Sequence, residues 1–261
     1  MANLEQVEVG DLSVTLIPAC MQNYIYLLRW DGGAAVVDPG DARPVLDVLE
    51  AESIDVGWIL ATHFHADHVA GIPELKRATG AMVVGPVGGG NAKIDVGVRA
   101  GDTVSVGPVC FQVLETPGHT MRDMSYHDAG RGILFCGDTL FAGGCGRLFE
   151  GGPEDMWSSL EKLRALQDHT LVFCGHEYTV GNLEFAVSID PGNEALLARR
   201  IEAEVLRKAG KATIPTTIGE EKKTNPFMRS DDPDLQVALG MKGAANADVL
   251  GAIRSRKDNF R

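Results

Sequence analysis

The chain has 261 residues, 44% of them hydrophobic and 23% charged, and a formal net charge of −12. That suffices for one large core or two domains, while the acidity argues against a nucleic-acid partner, whose phosphates need a basic face. No apolar stretch approaches the length that spans a bilayer, and the five cysteines are odd in number with no C-x-x-C pair, which argues against a disulfide framework.

Residues 1–8 carry acidic side chains and no basic-then-apolar leader, so a cytoplasmic protein is expected. Strands are predicted over 7–17, 24–29 and 34–37, the last two joined by a turn at Asp31-Gly32-Gly33. Pro44 starts a helix over 45–51, and the apolar run 56–60 follows as a strand. A second helix begins near Gly71-Ile72-Pro73 and ends before Gly80, with Lys76 and Arg77 in the last turn, where the dipole prefers cations. Further strands are expected at 82–84, 103–106, 109–114 and 133–136, and Gly88-Gly89-Gly90 reads as a plain loop. Over 155–166 a helical period sets Met156, Trp157, Leu160, Leu163 and Leu166 on one face.

After Tyr178 the pattern turns helical. Leu196, Leu197, Ile201, Val205 and Leu206 recur at helical spacing over 194–209; Asp232-Pro233-Asp234 opens another helix, and 247–258 is a last one. Charge shifts at the same point. Residues 1–178 carry 11 Lys and Arg against 24 Asp and Glu, a net of −13, and residues 179–261 carry 13 against 12, a net of +1. Two domains are expected, 1–178 and 179–261.

Chemistry concentrates at the ends of the predicted strands. Thr62-His63-Phe64-His65-Ala66-Asp67-His68 puts three histidines and an aspartate in seven residues directly after a strand. His63 and His65, two apart in an extended loop, leave the backbone on the same side. His119, Asp138 and His176 each follow another short apolar run, with a glycine just before. Loops at one edge of a sheet are where sites are assembled. His127 and His169 fall outside this pattern and read as ordinary loop or surface residues. Seven donors are too many for one tetrahedral ion and suit two adjacent ions sharing a carboxylate. The natural partition is His63, His65 and His119 on one, Asp67, His68 and His176 on the other, and Asp138 between them. Imidazole and carboxylate ligands accept Zn, Fe or Mn; zinc is expected. Asp67 and Asp138 would be catalytic through the water those ions activate. Nothing resembles a Gly-x-Ser-x-Gly elbow or a phosphate loop in the right context.

These donors, with the run 63–68 intact, resemble the metallo-β-lactamase superfamily. Gln22-Asn23-Tyr24, Gly137-Asp138-Thr139-Leu140-Phe141, Gly144-Cys145-Gly146-Arg147-Leu148-Phe149-Glu150, Gly175-His176-Glu177-Tyr178-Thr179, Asn225-Pro226-Phe227-Met228-Arg229 and the tail Arg254-Ser255-Arg256-Lys257-Asp258 are similar to its glyoxalase II, or hydroxyacylglutathione hydrolase, family. The resemblance implies an α+β fold, a four-layer αββα sandwich with a C-terminal helical domain. It implies hydrolysis of S-(2-hydroxyacyl)glutathione, typically S-D-lactoylglutathione, in methylglyoxal degradation. A thioester suits such a site, since a thiolate of parent pKa about 8.5 leaves without a general acid.

Arg254, Arg256, Lys257 and Arg261 make the most basic short stretch of the chain. A helix end favours cations by itself, but in this family an Arg and a Lys three apart on the last helix, matching Arg254 and Lys257, bind the glutathione carboxylates. Arg147, Phe149 and Tyr178 match other positions lining that pocket, with Arg147 and Phe149 departing from the Lys and Tyr of animal members. The expected partner is a small-molecule glutathione thioester, with no nucleic acid and no membrane, and a monomer is expected. The rival readings are a glutathione persulfide dioxygenase of the same superfamily, using one iron, and a non-enzymatic metal-binding module.

Overall fold

The N-terminal alternation folds as an antiparallel meander of β1 (Glu5–Val9), β2 (Leu12–Ala19), β3 (Asn23–Trp30) and β4 (Gly33–Val37). The single strand expected over 7–17 is two strands, because Gly10 takes φ 62° and turns the chain back, pairing Val9 with Leu12. This is a computed structural model, and it describes residues 4–88 and 93–260. Residues 1–3, Gly89, Gly90 and Arg261, which enter the readings above, lie outside the described residues.

Three strands continue the sheet in parallel: β5 (Val56–Leu60), β6 (Met82–Pro86) and β7 (Val96–Val98). Parallel neighbours need crossovers, supplied between β4 and β5 by α1 (Arg43–Glu52) and between β5 and β6 by α2 (Ala66–Val69) and α3 (Ile72–Thr79). Ile25, Leu27, Val36, Ile59 and Val83 bury one face of the sheet with Val45, Leu49, Ile72 and Leu75 of the helices.

A second antiparallel sheet runs β11 (Ile133–Gly137), β10 (Met124–Asp128), β9 (Val109–Glu115), β8 (Thr103–Val106). Aromatic rings join it to the first: Tyr26 of β3 lies 5.5 Å from Phe135 of β11, which lies 6.0 Å from Phe111. The buried Tyr126 hydroxyl donates to the Ala61 carbonyl at 2.8 Å, just past β5. These elements form one compact unit, Met1–Glu115 with Met124–Gly137; the second is Thr116–Asp123 with Asp138–Arg261.

The second unit holds a short hairpin, β12 (Leu140–Phe141) with β13 (Gly144–Cys145), and the strand pair β14 (Leu171–Cys174) with β15 (Thr216–Thr217). Its helices among the described residues are α4 (Pro153–Arg164), α5 (Thr179–Ile189), α6 (Glu194–Lys208), α7 (Ile218–Thr224), α8 (Pro233–Ala238) and α9 (Asn246–Asp258). Along α6 the predicted stripe divides. Leu196 and Ala203 pack on Leu183 and Ala186 of α5, whereas Ile201 and Val205 are 57% and 61% exposed. No helix among the described residues is long and apolar enough to cross a membrane.

Glu221 of α7, fully buried, is the polar hub of this unit. One oxygen accepts from Arg199 and the Thr216 hydroxyl, the other from the Gly143 amide and Asn225, so α6, α7 and the β12–β13 hairpin share one carboxylate. Removing one partner of a buried ion pair strands the other. Glu221→Ala should therefore destabilise the protein by about 3–5 kcal/mol, measured by denaturant unfolding, and a loss below about 1 kcal/mol would show the network to be dispensable.

Candidate metal centre and cationic pocket

Strands β4 and β5 are parallel neighbours, so their carboxyl ends lie side by side, where open sheets place ligands. The Asp38 amide donates to the Leu60 carbonyl at 2.9 Å, and Asp38 takes φ 50°, a left-handed conformation that Asp tolerates. Its carboxylate then faces the next loop. Oδ1 accepts from the Thr62 amide at 2.7 Å; Oδ2 accepts from the Thr62 hydroxyl at 2.7 Å and meets His68 Nδ1 at 3.0 Å. Having given its proton to Asp38, the Thr62 hydroxyl receives the Nδ1–H of His63 at 3.0 Å. One carboxylate thus sets the tautomer of two buried histidines and leaves Nε2 as the lone-pair nitrogen of both.

The remaining donors of this loop stand beside them. His63 and His65 rings are 4.8 Å apart, edge to face, as alternate residues of an extended segment should be, and His63 and His68 rings are 4.2 Å apart. Asp67, in the first turn of α2, is held by Asn23, whose side-chain amide donates to Asp67 Oδ2 at 3.0 Å and to its carbonyl at 3.2 Å. Asp38, His63 and His68 also offer ligand atoms within 4.8 Å of one another. Both Asp38 oxygens are engaged as acceptors, the arrangement of a group that orients the rings beside it.

In the second unit Asp138 is the centre. Its Oδ2 lies 3.4 Å from His119 Nε2 and 3.2 Å from His176 Nε2, so one oxygen faces both rings. His119 Nδ1 donates to the Arg147 carbonyl at 2.8 Å, again leaving Nε2 as the lone-pair nitrogen. Gly146 permits this: a Cβ there would overlap the Asp138 carbonyl. In the turn that presents His119, Asp123 accepts from the Thr120 amide at 2.7 Å and from its hydroxyl. Burial pushes the Asp123 carboxyl up to about 7, against those donors. Tyr178 stacks on His176, with centroids 4.5 Å apart and planes 4° from parallel, and Phe149 meets His119 edge-on at 5.3 Å.

Four of the seven predicted donors therefore lie on the first unit and three on the second. A divalent ion fits this chemistry: the donors are imidazoles with Nδ1 engaged at His63, His68 and His119, plus carboxylates, with no hard all-oxygen cage. Cys145, which could read as a reactive thiol beside Asp138, is buried, and burial pushes it up to about 11, so it packs and does not attack.

The expected substrate contacts divide. Arg147, Phe149 and Arg254 line one pocket of about 520 Å³ with Pro153, Ser255 and Asp258, whereas Lys257 and Tyr178 are not in its lining. Lys257 donates to the Gly181 carbonyl at 2.6 Å and lies over the rings of Phe185 and Phe260 at 5.3 and 5.6 Å. Burial, then the neighbouring Arg254, push its ammonium down to about 8. Arg254, 7% exposed, donates to the Cys145 carbonyl at 2.9 Å and to Asp258.

Sequence reasoning missed Asp38. The signal was present: like Asp138, Asp38 comes just past an apolar run, here Ala34-Ala35-Val36-Val37.

A family model described as the metallo-beta-lactamase superfamily matches residues 18–176, and one described as the hydroxyacylglutathione hydrolase C-terminus matches residues 177–260. A hydroxyacylglutathione hydrolase of Rhodospirillum rubrum is 48% identical over 256 residues, 97% of this chain and 100% of that protein. Among solved structures, ETHE1 from Myxococcus xanthus superposes with a TM-score of 0.63 at 26% identity, covering 99% of each chain. TTHA1623 in a di-iron-bound form has a TM-score of 0.59 at 25% identity, over 81% of this chain and 98% of that one. The α+β metallo-β-lactamase fold with a helical C-terminal region, expected from the sequence, is the fold of this chain.

The Asp38 relay has a direct test. In Asp38→Asn one carboxylate oxygen becomes an NH2 donor, which must face either the Thr62 donors or His68 Nδ1–H. Groups that orient ligands are worth about 10- to 100-fold in metal affinity, and zinc titration of metal-stripped Asp38→Asn should show a loss of that size. Unchanged affinity would remove Asp38 from the site.

Proposed function

Because the chain belongs to the metallo-β-lactamase superfamily and, within it, to the hydroxyacylglutathione hydrolase family, we propose that it hydrolyses S-(2-hydroxyacyl)glutathione, S-D-lactoylglutathione above all, to glutathione and a 2-hydroxy acid. The observation that carries this reading is one chain holding both an imidazole–carboxylate donor set and, on its second unit, a pocket lined by two guanidinium groups. The family matches meet at residues 176 and 177, which supports a division into a catalytic part, 1–178, and a helical substrate-binding part, 179–261.

We assign His63, His65 and His119 to one ion, Asp67, His68 and His176 to a second, and Asp138 to both. The Oδ2 of Asp138 facing both His119 and His176 supports a shared carboxylate. Divalent ions, when bound, supply Lewis acidity and lower the pKa of water toward neutrality; zinc suits a donor set richest in imidazole. The chain's own residues do the rest. Asp38 and Thr62 hold the histidine tautomers, and Asn23 holds Asp67. Arg254, Lys257 and Arg147 offer cations to the glutathione carboxylates, and Phe149 and Tyr178 offer apolar walls. The leaving thiolate needs no proton donor, and Cys145 is buried. The absence of any disulfide among the described residues supports action in a reducing cytoplasm, and we take the working form to be a monomer.

Elemental analysis should find two ions per chain, and chelation should abolish thioester hydrolysis. Asp138→Ala should lower kcat/KM by at least about 100-fold, since one change disturbs both ions. Oxygen consumption with glutathione persulfide exceeding thioester hydrolysis would move the chain to the dioxygenase reading, and loaded protein near one ion per chain would refute the partition.

Lys257 adds a pH dependence. Its ammonium is charged below about 8 and neutral above, so a contact with a substrate carboxylate is present at pH 7 and lost as pH rises through about 8. KM for lactoylglutathione should rise up to about tenfold between pH 7 and 9 with little change in kcat, and Lys257→Met should have the higher KM at pH 7 but converge on the wild type by pH 9. The same rise in Lys257→Met would assign it to the substrate instead.

A further inference from the structure

Asp258 is the last residue of α9 and stands inside the cationic pocket. Its Oδ1 accepts from Arg254 Nη2 at 3.0 Å and from Nε at 3.2 Å, and the same oxygen is 3.7 Å from Nε of Arg147. A carboxylate at a helix C-terminus opposes the helix dipole, so helix stability does not account for an acid here. Its surroundings do. The Arg254 side chain is 8% exposed, and a guanidinium so enclosed needs a counter-charge. Asp258, 43% exposed on the pocket side and one turn along the same helix, supplies it and can rotate away into solvent.

We propose that Asp258 is a built-in stand-in for the substrate carboxylate: it occupies the Nε–Nη2 edge of Arg254 in the free protein and is displaced from it by an incoming anionic thioester. The inference rests on reading this pocket as the glutathione site, and deepens it. The Nε–H and the Nη2–H directed at Asp258 form one planar edge, which suits a single carboxylate at a time. The third bond of Arg254, from Nη1 to the Cys145 carbonyl at 2.9 Å, is unaffected by the exchange, so the guanidinium stays in place whichever carboxylate it holds. Asp258 would then be a positioning and specificity-determining residue. It keeps the cation ordered without substrate, weakens binding by the competition it offers, and lets the equally anionic product leave.

Asp258→Asn tests this, because the amide oxygen can still accept from Arg254 while the charge is gone. Competition predicts tighter binding: the Kd of S-methylglutathione by calorimetry, and the KM for S-lactoylglutathione, should each fall roughly 3- to 10-fold. The change should shrink in high salt. A neutral acyl thioester lacking the tripeptide should react equally with both proteins, and Asp258→Glu, which keeps the charge, should bind like the wild type. An unchanged or raised Kd in Asp258→Asn overturns the proposal, as does an equal change for the neutral thioester. Should Asp258→Asn not fold, Asp258→Ser removes the same charge and is read identically. The two readings fail separately. A wild type that binds S-methylglutathione but hydrolyses no lactoylglutathione overturns the catalytic reading alone. Hydrolysis with unaltered affinity in Asp258→Asn overturns the role of Asp258 alone.

Discussion

Two buried histidines of the first unit, His63 and His68, depend on where one carboxylate points. Asp38 ends β4 in a left-handed conformation, and its two oxygens accept the Thr62 amide, the Thr62 hydroxyl and His68 Nδ1–H. The consequence passes through Thr62 to His63 Nδ1, so two imidazoles present Nε2 by default. The loop 61–65 has no regular structure of its own to hold these rings, and the parallel register of β4 with β5 delivers Asp38 to them. Gly137 serves the same junction from β11: at φ 50°, a Cβ there would overlap the Thr62 hydroxyl on which the relay depends.

On the second unit the equivalent ordering device is the hairpin β12–β13 and the turn after it. Glu221 and Asn225 hold it at Gly143 and Gly144, and Arg254 holds it at the Cys145 carbonyl. Directly beyond, Gly146 packs on Asp138, and the Arg147 carbonyl fixes His119. A cation of the pocket and two candidate metal ligands therefore share one short stretch of backbone. A substitution in the helical tail can disturb the donors without touching them.

Charge is unevenly placed. Residues 1–178 carry a net of −13, whereas in the pocket of the second unit the guanidinium groups of Arg147 and Arg254 attract an anion locally. At such short range the interaction is weakly screened, whereas the diffuse acidity of the body is screened within roughly 8–10 Å. The family resemblance marked Arg254 and Lys257 alike, but they sit in different surroundings: Arg254 on the pocket wall with its own counter-ion, Lys257 over two aromatic rings at the Gly181 carbonyl.

The sequence by itself determined which residues are candidate donors, since His and Asp placed just past apolar runs are a property of spacing, and spacing is readable without coordinates. It likewise determined α1 and α3, whose Pro starts are local, and the apolar face of α4, which runs over Pro153–Arg164 and not 155–166. What only the tertiary structure decided is non-local. Gly10 split the first strand because β1 and β2 each had a partner to pair with. Val205 and Ile201 faced solvent because helical period says which residues share a face and not whether a neighbour covers it. Asp38 became the orienting group because a carboxylate's role depends on what lies within hydrogen-bond distance, and Thr62 and His68, 24 and 30 residues away in the chain, came there only by the parallel pairing of two strands.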